Sequence, residues 1–134
     1  MILAKLPFAI HALVETAAAL SFIFNPYKQL PGCNEAAKLI LRQYGGLLLS
    51  TNLICFAVLN EPGFSHMSRL LAAALGFYHI WPCCRAYIRI HYNIGLSSGG
   101  KSALGSPQLH IIVHFVCLAM FIWASLSPEI PSTL

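Results

Sequence analysis

The residues able to do chemistry stand where they are least expected, inside long apolar runs. His11 and Glu15 lie four apart and share one helical face, as do His110 and His114. His79 follows Tyr78, Asn52 lies deep in its run, and Arg42, Tyr44 and Arg85 lie toward run ends. Ionisable groups in hydrocarbon cost free energy, face a bundle interior and mark function by default. Three kinds of chemistry suit this set. Hydrogen bonds among His, Asn, Glu and Arg can glue helices at about 0.6 kcal/mol each. A dry pocket that favours the neutral forms of a carboxyl and an imidazole provides an acid and a base. Such a site can protonate an olefin or epoxide, or shift a double bond, without a cofactor. Imidazoles also suit iron, copper and zinc, so His110 with His114, or His79 with His114 around a haem, is the metal alternative.

The elements that position these residues follow from composition. Of 134 residues, 57% are hydrophobic and 9% charged, and the mean hydropathy is +0.70. An average soluble domain is about 25% charged. So few charges cannot cover a water-soluble globule, which leaves lipid as the solvent. A span needs about 20 apolar residues. Four runs qualify: about 6–24, 38–59, 67–90 and 107–126, each followed or preceded by Pro, Asn, Gly or Ser. Long apolar runs favour helices over barrel strands. The expected fold is all-α, one four-helix integral membrane bundle over residues 1–134. Lys5 and the Ala17–Ala19 run resemble a signal peptide, but His11 and Glu15 interrupt the apolar core, which favours a retained span.

Four spans put both termini on one side with Lys5, Arg69, Glu61 and Glu129. Lys28, Lys38, Arg42, Arg85, Arg89 and Lys101 fall on the other, so loops 26–37 and 91–106 are expected in the cytosol and the termini in the lumen. By a rise of about 1.5 Å per residue, Glu15, Asn52, His79 and His114 form a middle layer. Arg42, Tyr44, Arg85 and His110 form a cytosolic one. Phe22, Phe77, Tyr78, Trp81 and Phe115 can line a pocket or simply pack. The five cysteines form no CxxC and read as apolar filler, which argues against a quinone-linked thiol oxidase. Gly95-x-x-x-x-Gly100-Lys101-Ser102 matches a phosphate loop letter for letter but lacks a preceding strand. The basic residues are too scattered for nucleic acid.

The run His11-x-x-x-Glu15, Asn25-Pro26, Arg42-Gln43-Tyr44-Gly45, Tyr78-His79 and His110-x-x-x-His114 resembles small fungal four-span integral membrane proteins. The layout is also similar to DoxX-like four-helix membrane proteins. The resemblance implies roles such as cyclases or oxygenases of natural-product pathways, or scaffolds of sterol enzymes in the endoplasmic reticulum.

The expected function is therefore a membrane protein, of the endoplasmic reticulum, acting on a lipophilic small molecule in terpenoid or polyketide metabolism. It would be a cofactor-free acid–base isomerase or cyclase. Glu15 would be the acid and His79, His114 or His11 the base. Asn52, Arg42, Tyr44, Tyr78, Arg85 and His110 would bind the substrate, and no residue is assigned to a metal. The alternatives are a non-catalytic scaffold or accessory subunit for other membrane enzymes, and a haem- or metal-dependent oxidoreductase.

Overall fold

In the computed structural model, which describes residues 2–93 and 106–131, the chain is all-α. Five helices stand among the described residues: α1 Ile2–Phe24, α2 Pro26–Gln29, α3 Glu35–Asn60, α4 His66–His91 and α5 Pro107–Leu126. The four long ones match the expected apolar runs to within a few residues at each end. The single turn α2 lies in a stretch expected to be loop. Pro26 at its first position presets the helical φ, and Gln29 Nε2 donates to Ser21 Oγ on α1 at 2.9 Å.

Three of the four long helices, α3, α4 and α5, start where a side chain takes up an orphan N–H. Asn34 caps α3 by accepting from Ala37 N at 2.9 Å. Ser65 caps α4 and Ser106 caps α5, each accepting from the third residue on at 3.2 Å. Gly32, at φ 75°, makes the turn into α3 that a Cβ would strain.

The helices fall into two compact units, one of α1, α2 and α3 and one of α4 and α5. In the first, partners move down α3 as they move up α1, so the pair is an antiparallel hairpin. Arg42 Nε donates to Ile23 O at 3.3 Å at one end, and Lys5 Nζ to Leu59 O at 3.4 Å at the other. Gly45 sets the closest approach. A Cβ there would sit 2.7 Å from Ile23 Cγ1 and 2.9 Å from Ala19 O. In the second unit, Arg69 Nε donates to Ser125 O at 3.0 Å, and Cys83 Sγ lies 3.9 Å from Ile111 O, again antiparallel. Gly76 faces the Phe121 Cβ, which a Cβ of its own would meet at 3.2 Å.

The outward surface is apolar. Leu6, Leu13 and Leu20, seven apart on α1, are all exposed, as are Leu39, Leu53, Phe56, Phe77, Trp81, Phe115 and Trp123. His11, Glu15, Asn52, His79 and His114 are buried. That is a water-soluble protein turned inside out, and it suits a lipid bilayer. Among the described residues three helices are long and apolar enough to cross a membrane: α1, α3 and α5. The fourth expected span, α4, has 26 residues but is not among them. Arg69, Arg85 and Arg89, with three histidines, lower its hydropathy.

Candidate functional site

Within the α1–α3 hairpin, the α1 face carrying His11 and Glu15 meets Thr51, Asn52 and Cys55 of α3. His11, Glu15, Asn52 and Cys55 are all buried. His11 Nε2 lies 3.1 Å from Thr51 Oγ1. Asn52 Nδ2 donates to Thr16 Oγ1 at 2.8 Å. Cys55 sits within electrostatic reach of Glu15.

The two threonines decide the polarity of this seam. Thr16 Oγ1 donates its single hydrogen to Ala12 O at 2.6 Å, and Thr51 Oγ1 donates its own to Leu48 O at 2.7 Å. A hydroxyl has one proton, so each threonine can only accept from the opposite helix. His11 must therefore carry its proton on Nε2, which makes Nδ1 its basic nitrogen. Asn52 must present its amide N–H₂ to Thr16, which turns Oδ1 elsewhere. The arrangement is reciprocal, since a hydroxyl on α1 orients a side chain of α3 and a hydroxyl on α3 orients one of α1. Thr16 and Thr51 were not singled out from the sequence. Their only signal there is adjacency, Glu15-Thr16 and Thr51-Asn52.

In the α4–α5 hairpin, His79 Nδ1 lies 2.8 Å from His114 Nδ1, both rings buried. One ring donates and the other accepts, so a single proton lies between them. Phe121 stacks on His79 with centroids 5.7 Å apart, and the His110 ring stands edge-on to His114 at 4.4 Å. This spacing does not fit a metal or a haem held between His79 and His114. Zinc bound tetrahedrally at about 2.0–2.1 Å would hold two nitrogens roughly 3.4 Å apart. A haem held between the two rings would need its iron and porphyrin plane inside a 2.8 Å gap.

The remaining expected substrate contacts have other surroundings. Arg42 is exposed, and its bond to Ile23 O covers a carbonyl at the C-terminal end of α1. Tyr44 is half-buried with its ring edge-on to Phe22, centroids 5.0 Å apart. Tyr78, Arg85 and His110 are half-buried, and Arg85 and Arg89 stand within electrostatic reach of His110. The structure thus brings His11, Glu15 and Asn52 together in one hairpin and His79, His110 and His114 in the other. Two charges read as orientation signals also have structural partners. Lys5, buried, donates to Leu59 O and to Glu61 O past the end of α3, and Arg69 pairs with Glu129 at 3.5 Å. The phosphate-loop match, residues 95–102, lies outside the described residues. None of the five cysteines is in a disulfide, and Cys55 and Cys117 are buried.

Comparison of the chain with protein-family models, with curated proteins and with solved structures finds no match.

Proposed function

We propose that this chain is a multi-pass membrane protein that holds a lipophilic small molecule at the α1–α3 seam and moves a proton on it, an isomerase- or cyclase-type reaction. The observation that supports it is the buried pair of Glu15 and His11, one turn apart on one face of an apolar helix, with the imidazole proton held on Nε2 by Thr51. In this reading Glu15, held as the neutral acid, gives its proton to a carbon–carbon double bond or an epoxide oxygen. The cation that forms loses a proton from a neighbouring carbon to His11 Nδ1, and transfer from His11 back to Glu15 restores the site. The net change is a rearrangement that consumes nothing. We take α4 as the fourth span. Residues 70–84 carry no Asp, Glu, Lys or Arg, and the arginines that bracket them are long enough to snorkel to the headgroups. An endoplasmic reticulum location with loops 26–37 and 91–106 in the cytosol, and kinship with small fungal or DoxX-like four-span proteins, belong to the same proposal.

The test is expression in yeast membranes supplied with isoprenoid olefins and epoxides, with lipophile profiling. Wild type should convert at least one of them, and Glu15→Gln should lose the conversion at least about a hundredfold, the usual weight of a general acid, while its melting temperature in detergent is kept. Equal product from Glu15→Gln would sink the acid–base reading.

A scaffold is the second reading, and the His79–His114 bond favours it. Two imidazoles that spend their facing nitrogens on each other join α4 to α5 without needing a substrate. A scaffold predicts co-purifying membrane enzymes and His114→Ala variants that lose assembly rather than turnover.

A further inference from the structure

Asn52 is 3% exposed, and its amide orientation is settled by its neighbour. Thr16 Oγ1 has given its hydrogen to Ala12 O, so Nδ2 faces Thr16 and Oδ1 faces away. Asn52 Oδ1 is buried and has no hydrogen-bond partner among the described residues. A buried acceptor without a donor keeps its full desolvation cost. A leucine at this place in an apolar helix would carry none, and the side chain is therefore built to meet a donor that arrives from outside the hairpin.

The seam narrows what that donor can be. An anion has no hydrogen to offer the Asn52 carbonyl oxygen, would be repelled by it, and would bring a charge into hydrocarbon. An ammonium would bring a second ion into hydrocarbon, at a cost one neutral acceptor does not return. A hydroxyl is neutral, small and a donor. Acyl tails have no donor at all, so an acceptor at this depth also tells a ligand from the surrounding lipid. We propose that Asn52 Oδ1 accepts the O–H of a lipophilic alcohol, so that hydroxyl-bearing lipophiles, isoprenoid alcohols among them, are the ligand class of the α1–α3 seam. This rests on the reading of the seam as the place where a lipophile is held, and it adds that the ligand must donate.

The experiment compares farnesol with its methyl ether, which keeps the chain and the oxygen and loses the donor. Each is titrated into the purified full chain in dodecyl maltoside, with the melting temperature and the apparent Kd as readouts. Farnesol should raise the melting temperature and bind about tenfold or more tighter than the ether, the weight of one buried hydrogen bond. Asn52→Leu should erase that preference while the ligand-free melting temperature stays level or rises. If Asn52→Leu does not fold, the comparison in the wild-type protein decides alone. Equal binding of alcohol and ether, or a preference that survives in Asn52→Leu, overturns the proposal. Alcohol-selective binding with no proton shift on any lipophile would leave this inference standing and remove the acid–base reading. Turnover of a lipophile without an O–H, and no alcohol preference, would do the reverse.

Discussion

At the residue scale the seam depends on two hydroxyl protons. Thr16 and Thr51 each return theirs to their own helix, and that choice orients Asn52 and His11 on the opposite helix. The histidine tautomer follows from it and can be read directly. In protein labelled with ¹⁵N histidine, the His11 signals should report a proton on Nε2. Thr51→Val removes the acceptor and should lose that preference, with the proton moving to Nδ1 in part of the population. A wild-type spectrum with the proton on Nδ1 would refute the relay. The positions of His11 and Glu15 on one face were legible in the sequence, because a spacing of four is one helical turn whatever the helix packs on. The threonine relay was not. Serine and threonine in apolar helices usually bond back to their own carbonyls, and nothing along the chain says which of them also receives a bond from a partner.

At the element scale, one residue without a side chain sets the closest approach of α1 and α3. Gly45 lets α1 approach until a Cβ would meet Ile23 and the Ala19 carbonyl, whereas a Cβ at Gly46, the next residue, would meet nothing within 4 Å. Gly45→Ala should therefore destabilise the hairpin by about 1–3 kcal/mol through overpacking. Gly46→Ala should stabilise it by roughly 0.5–1 kcal/mol, the helix-propensity gain alone. Thermal unfolding in detergent reads both, and equal effects of the two would mean that the close approach is absent. The helix limits themselves were legible because Asn, Ser, Pro and Gly stand at their ends as caps and breakers. The turn α2 was missed because four residues are too few for an apolar period to show.

At the scale of the whole molecule the orientation follows from how many of the long helices cross. α1, α3 and α5 are apolar enough, and α4 is long enough but carries arginines near both ends. Its uncharged stretch of residues 70–84 covers roughly 22 Å at 1.5 Å per residue, short of a core of about 30 Å unless the arginines reach outward. Four crossings put both termini on one side and three put them on opposite sides. A glycosylation tag of the Asn-x-Thr type appended after Leu134, and the same tag placed before Met1, separates the two cases. Both tags should be glycosylated in microsomes. Modification of one tag alone would remove α4 from the spans and the expected orientation with it.

The sequence by itself determined the elements, and its composition pointed to lipid as the solvent. So few charges among so many apolar residues cannot face water, and apolar runs punctuated by caps and prolines can only be long helices. It also determined which polar residues share a helix face, since that depends on local periodicity alone. Only the tertiary structure decided which faces meet, since meeting depends on the register between helices, and that register depends on where a glycine allows close approach. Pairing His79 with His114 turned two expected catalytic bases into each other's hydrogen-bond partners. Laying Thr16 against Asn52 turned an expected contact into an oriented, unmet acceptor, because one shared proton can face only one way.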